Sequence, residues 1–238
     1  MKKTVLKALA VVSCSIITSL PLTAQAVDDV FQDSGSWLQL MAEGSLKAIS
    51  PDLANARIWL EGQSRYDRDF SHWYQGMARV AVGYSLSDRA TVWAGYTWLP
   101  TENLGKPYLS QQDIWPGFRY VLPTSWGTLM FRTLVEVNFL EGDDERYRPR
   151  QMLRFMHPLA MEPRLSLIAW DEFFIRLNTT KYGGDSGFDQ NRAFAGLGWT
   201  FNKNVRAELG YMNQYVDDSH HENNTMRHLV MGSVFVNF

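Results

Sequence analysis

Arginine and glutamate recur at alternating positions in this chain, and that spacing is what could give them chemistry. Between residues 55 and 65, Arg57, Trp59, Glu61, Gln63 and Arg65 share one parity while Ile58, Leu60 and Gly62 take the other. Between 128 and 139, Arg132, Glu136 and Asn138 oppose Leu129, Phe131, Val135, Val137 and Phe139. Between 204 and 216, Arg206, Glu208 and Gln214 oppose Val205, Ala207, Leu209 and Tyr211. A guanidinium is a rigid fork of donors that grips a carboxylate or another small anion at two points. Arg57, Arg79, Arg132, Arg154, Arg192 and Arg206 are therefore candidate anion-binding residues, with Glu61, Glu136, Glu172 and Glu208 as acidic partners.

The same parity adds Arg65, Arg119, Arg148, Arg150, Arg164, Arg176 and Arg227 to that face. Cations on it then outnumber acids about three to one, and a charged passage selects ions by its own sign. Two uses compete. An arginine–glutamate network is an ordinary way to satisfy buried charge, and the interior of a small barrel can be filled by side chains. The surplus of arginine instead suits binding or passage of an anionic solute. Gly196 and Gly198 would leave room for neighbouring arginines, and Asn191-Arg192 would fix a loop entry by hydrogen bonding.

Hydrolytic or acyl-transfer chemistry needs a base positioned against a hydroxyl or water. The histidines are His72, His157, His220, His221 and His228, and none lies beside an obvious nucleophile, so no catalytic residue is assigned. His220-His221-Glu222 with Asp217 and Asp218 could ligate a divalent cation, but a solvated acidic loop explains them equally. Gly183-Gly184-Asp185-Ser186-Gly187 has the composition of a flexible loop rather than a phosphate cradle. No metal and no cofactor is expected. Inward Trp59 or Trp93 could stack on a sugar. Trp37, Trp73, Trp98, Trp126, Trp199, Tyr84, Tyr96, Tyr120, Tyr211 and Tyr215 fall near strand ends, as interfacial aromatic girdles do.

The elements that must position these side chains are β-strands, since period-two alternation continues through most of the chain. Strands are expected near 36–46, 55–65, 73–85, 90–100, 113–122, 128–139, 148–157, 164–177, 191–201, 204–216 and 226–238. Short turns alternate with longer polar connections at 101–112, 140–147, 178–190 and 217–225, the rhythm of an outer-membrane barrel. The longer loops carry Asp143, Asp144, Asp185, Asp217 and Asp218. Bacterial single-chain barrels have an even strand number, so ten to twelve strands are expected, with twelve slightly favoured by a short strand at 27–35. Asp171 breaks the parity, and a β-bulge near Trp170-Asp171-Glu172 would turn both acids inward. A position near the membrane edge is the alternative.

The chain ends set the compartment. Lys2-Lys3, an apolar run to Leu22 and Ala24-Gln25-Ala26 make residues 1–26 a cleavable signal peptide, leaving one domain over 27–238. Without the signal there are sixteen arginines and four lysines against 25 acids, a formal charge of −5, and Cys14 is lost. No run approaches the ~20 apolar residues of a helical span. Alternating strands reconcile a membrane location with a mean hydropathy of −0.25. The last nine residues, Val230 to Phe238, resemble the C-terminal signal strand of bacterial outer-membrane barrels, with Val234, Val236 and Phe238 as the assembly signal.

Trp170-Asp171-Glu172-Phe173-Phe174-Ile175-Arg176-Leu177-Asn178, Gly187-Phe188-Asp189-Gln190-Asn191-Arg192, Gly196-Leu197-Gly198 and Glu208-Leu209-Gly210-Tyr211-Met212-Asn213-Gln214-Tyr215 resemble the outer-membrane family called domain of unknown function 2490 (DUF2490). Trp37 and Glu61-Gly62-Gln63-Ser64-Arg65 are similar to that family's opening. The resemblance implies a Gram-negative outer-membrane barrel and no established activity. The expectation is an all-β, transmembrane, antiparallel up-and-down barrel without enzymatic activity, a structural or envelope-interaction protein. An anion-preferring channel or binding barrel for an acidic solute is the alternative, and a lipid-modifying enzyme ranks third. Its expected partners are outer-membrane lipids, the barrel-assembly machinery and an anionic small solute, not nucleic acid, with the oligomeric state left open.

Overall fold

The computed structural model describes residues 30–102, 109–217 and 224–238. The expected signal segment and Cys14 lie outside them, as do Asp218 and the His220-His221-Glu222 cluster. Eleven strands form one closed barrel: β1 (Phe31–Ser45), β2 (Ala56–Asp67), β3 (His72–Ser85), β4 (Ala90–Thr101), β5 (Leu109–Thr124), β6 (Gly127–Leu140), β7 (Arg146–Leu159), β8 (Glu162–Arg176), β9 (Gly187–Thr200), β10 (Val205–Val216) and β11 (Thr225–Asn237). Each strand pairs antiparallel with its sequence neighbour. β1 closes the ring on β11 in parallel, in unbroken register from Phe31↔Thr225 to Glu43↔Asn237.

The count falls between the two even numbers that the sequence favoured, and β1 supplies the reason. Residues 31–35 do not make a separate twelfth strand; they extend β1, whose full length is needed to cover β11. An odd meander brings its first and last strands to the seam in the same direction. A parallel seam is slightly less stable per residue than an antiparallel one. At its end, Phe238 N donates to Glu43 O at 3.1 Å and Ser45 N donates to Phe238 O at 3.0 Å. Phe238 marks this rim of the barrel, the C-terminal rim. Its connections are short except between β1 and β2, where two 3-10 turns, Leu46–Ala48 and Pro51–Leu53, are capped by Ser45 and Ser50.

Parity sorts the side chains as expected along most strands. Leu38, Leu40, Leu60, Val80, Val82, Ile114, Phe131, Leu153, Leu167, Leu197, Leu209, Val230 and Val234 all lie exposed on the outer wall. Asp171 also stays outside. The register Leu153↔Asp171↔Ala193 is continuous, and the irregularity in this hairpin falls later, between Phe174 and Ile175. Its carboxylate is satisfied instead from the next strand, by Asn191 Nδ2 at 2.9 Å. Trp37, expected at an interface, is interior and only 2% exposed.

The interior is packed. Trp59, Ala81, Trp93, Trp115 and Leu134 form one apolar cluster, and Trp37, Ile168, Phe194, Met212, Leu229 and Met231 form another. Glycines opposite the large side chains make this possible. Gly83 faces Trp93, Gly95 faces Trp115 and Gly117 faces Leu134 across the strand pairs. A Cβ on Gly83 would stand 2.6 Å from Trp93 Cε3, and one on Gly95 would fall inside the Trp115 indole. Gly196 and Gly198 likewise make room for Phe194 and Ile168 rather than for arginines.

Gly95→Val should therefore overpack the tryptophan cluster at a cost of about 1–3 kcal/mol. The expected result is a lower urea midpoint for the folded barrel. Gly62→Ala, where an added Cβ meets nothing within 4 Å, should leave the midpoint in place.

Candidate functional site

Strand alternation brings the candidate arginines inside the barrel, where carboxylates meet them in three tiers. Nearest the C-terminal rim, Glu43 accepts from Arg57 Nη2 at 2.8 Å and, across the interior from β5, from Arg119 Nη2 at 2.6 Å. Glu208 takes Arg154 from β7, while Arg206 Nε stands 2.9 Å from the same oxygen without aiming its N–H at it. Arg206 thus makes an ion pair rather than a hydrogen bond to Glu208.

The middle tier is the most heavily shared. Glu172 accepts from Arg150 Nε at 2.9 Å and Nη2 at 2.7 Å, and from Arg132 Nη2 at 2.9 Å. Glu136, fully buried, accepts from Arg150 Nη1 at 2.7 Å and Arg148 Nη2 at 2.8 Å. Arg150 thereby bridges two carboxylates, and Glu136 bridges two arginines. Glu61 pairs with Arg79 at 3.1 Å and accepts from Gln39 and Gln63 at 2.6 Å each. Thr97 Oγ1 accepts from Arg79 Nε at 3.0 Å and Trp115 Nε1 at 2.9 Å, joining the polar network to the tryptophan cluster.

At the far rim the ties reach the loops. Asp189 lies 3.2 Å from Arg148 Nη1. Arg176 donates to Gly183 O at 2.9 Å, to Phe188 O at 2.5 Å and to the Asp217 carboxylate, holding two connections together. Arg146 donates to Asn138 at 2.9 Å and Gln111 at 3.3 Å, beside Asp113.

All six candidate arginines and all four candidate glutamates thus face the interior, and five of the six arginines have a close carboxylate. Among the described residues Arg192 has only Glu172, at 4.0 Å. Sequence parity missed Glu43, Asp113 and Asp189, and it misplaced one arginine. Arg164 sits at the C-terminal rim, exposed and paired with Glu162 at 3.1 Å, while Arg146, which parity did not assign, lies inside near the far rim. The three-to-one surplus of cations shrinks accordingly. Asp189 was hidden by its position in an expected loop, whereas β9 begins at Gly187 and carries it on the inward parity. Trp59 and Trp93 are packed edge-to-face at 5.6 Å between ring centres, which leaves neither as an open sugar platform.

The described histidines are engaged at the barrel's rims and outer wall. His228 contacts Tyr211 OH at 2.6 Å and Gln32 at 2.9 Å, and His157 contacts Trp126 O. His72 pairs with Asp67 at 2.7 Å, and its buried Nε2 meets no hydroxyl. Among the described residues no group of three or more His, Cys, Asp or Glu could hold a metal ion. A loop lock stands near the far rim: Lys181 N and Tyr182 N donate to the Asp143 carboxylate at 2.8 and 3.0 Å. Slight burial pushes this carboxyl up, but those donors, with Asp144 N and the Thr180 hydroxyl, hold it below its ordinary value of 3.8.

The fold and its interior define a closed all-β barrel with a side-chain-filled core. The chain belongs to the family described as protein of unknown function DUF2490, which matches residues 34–226. It is 28% identical over 204 residues to an uncharacterized protein of Methylorubrum extorquens, covering 84% of this chain and 85% of that protein. No solved structure matches it.

Glu172→Gln should leave Arg132 and Arg150 without their shared charge partner, and breaking a buried pair in this way costs about 3–5 kcal/mol. The unfolding midpoint should fall steeply, whereas Glu162→Gln at the exposed rim pair should leave it unchanged. The Asp143 lock gives a pH dependence. Because its folded carboxyl titrates below 3.8, the ionised form favours the tied loop, which is complete above that value and is lost as pH falls through the lower folded value. The amide resonances of Lys181 and Tyr182 should titrate with a midpoint below 3.8, and Asp143→Asn should abolish that transition.

Proposed function

We propose that this protein is a non-enzymatic barrel of a Gram-negative outer membrane, structural or engaged in envelope interactions, whose arginine-rich lumen is closed by its own ion pairs. One observation carries the reading: Glu43 on β1, shared between Arg57 on β2 and Arg119 on β5, braces the interior between strands that are not neighbours, and Glu208 on β10 does the same with Arg154 on β7. A passage for solute would have to break such ties. The packed tryptophans and glycines work in the same direction.

The membrane location rests on the outer wall. Its exposed residues are predominantly leucine, valine, isoleucine and phenylalanine, with Tyr84, Tyr96, Trp98, Trp126 and Tyr211 among them. That is the composition of a lipid-facing band with aromatic girdles. Val234, Val236 and Phe238 on this wall are the surface offered to the assembly machinery. Export through a cleavable signal and residence in the outer membrane follow from the same reading.

Planar-bilayer recording tests it. The refolded protein should insert and give no steady conductance. A persistent anion-selective current would overturn the closed-lumen reading and favour a conduit for acidic solutes.

A further inference from the structure

Most interior arginines have a close carboxylate, but Arg65 and Arg192 do not, and these two stand against the same indole. Arg65 is buried, 5% exposed, and its hydrogen-bond partners are neutral: Gln63 Oε1 at 3.0 and 2.7 Å, the Gln75 amide oxygen, and the Met77 sulfur at 3.7 Å. Arg192, 8% exposed, makes one hydrogen bond among the described residues, from Nε to Gln190 Oε1 at 3.2 Å. Its nearest carboxylate oxygen, on Glu172 at 4.0 Å, already receives Arg150 Nη2 at 2.7 Å. The Arg65 and Arg192 guanidinium carbons lie 3.9 and 4.8 Å from the Trp37 ring centre. Trp37 Nε1 is itself buried without an acceptor. Three donors therefore lie around one indole, two of them charged, and no described carboxylate serves them fully.

These residues line part of an interior cavity of about 290 Å³, which extends past the arginine-paired Glu61, Glu172 and Glu208 to Glu43 and Asn237 near the C-terminal rim. A buried charge is stable only if it is paired, and an unpaired one is strongly costly. An anion supplies what this cluster needs: charge for Arg65 and Arg192 and an acceptor for Trp37. The cavity is at the small end of ligand pockets, which fits a small solute and not a polymer or an acyl chain. The nearby walls of Met77 and Phe194 tolerate an apolar remainder.

We infer that the cavity at Trp37, Arg65 and Arg192 is a binding site for a small carboxylate- or phosphate-bearing anion. Cation–π contact with Trp37 keeps the two guanidiniums in place; Arg65, whose three nitrogens all donate to neutral groups, contributes its uncompensated charge, and Arg192, bonded through Nε, offers its Nη groups. The inference does not depend on a closed lumen, since a conducting barrel could hold the same site. Equilibrium binding and conductance therefore answer separate questions.

The test is titration calorimetry on the refolded barrel in nonionic detergent, with inorganic phosphate and acetate as separate probes. The wild type should bind one or both saturably, and its melting temperature should rise with that anion by mass action. Arg192→Gln and Arg65→Gln should each weaken binding about tenfold or more, the equivalent of one lost charge-assisted contact. Arg164→Gln, at the exposed rim, should bind as wild type does. If the arginine variants fail to refold, Trp37→Phe, which keeps an aromatic face but removes the Nε1 donor and narrows the ring under both guanidiniums, should still lower affinity. Preference for phosphate or for acetate identifies the anion's head group. Absence of saturable binding by either probe, or equal binding by wild type and Arg192→Gln, overturns the site.

Discussion

The structure depends on the electrostatic balance inside the ring. Guanidiniums taken out of water need carboxylates at hydrogen-bond distance, and there are fewer carboxylates than arginines on the inner wall. The barrel meets this shortage by sharing. Glu172 serves Arg132 and Arg150, Glu136 serves Arg148 and Arg150, and Glu43 serves Arg57 and Arg119. Sharing has a mechanical effect, because one carboxylate between arginines of different strands is a cross-brace. The apolar clusters then fill the space the braces leave, with Thr97 as a joint between the two materials.

Much of this was legible from alternation alone. Period two assigned the outward leucines and valines and placed Arg57, Arg79, Arg132, Arg154, Arg192 and Arg206 on the opposite side, because a pleated strand has only two faces. What escaped was whatever parity cannot encode. Asp189 was lost because a polar, glycine-flanked segment reads as loop whether or not the strand continues through it. Arg164 has the inward parity but lies so near its strand end that it reaches solvent. Asp171 kept the parity that looked wrong, since a neighbouring asparagine could satisfy it outside. The sharing pattern was also invisible, because pairs such as Glu43–Arg119 depend on chords across the ring, which strand register alone does not specify.

The glycines tell a related story. In the sequence Gly83, Gly95 and Gly117 look like interruptions of good strands, since glycine weakens a strand interior. In the barrel each is the recess for a bulky residue on the adjacent strand, so the local loss is offset by a denser interior. Large and small positions are matched between strands rather than along one, which is why no single segment displays the rule.

The parallel seam has a topological consequence. With an even number of strands both chain ends emerge on one rim and a short linker could join them. Here thirteen residues of β1 run alongside β11 in the same direction, so at about 3.3 Å per residue Phe31 and Phe238 stand roughly 40 Å apart along the wall. A circular permutant of this barrel would need a linker that traverses its full height. Phe31 and Phe238 therefore mark opposite rims, giving the barrel a built-in polarity that an even-stranded one would lack.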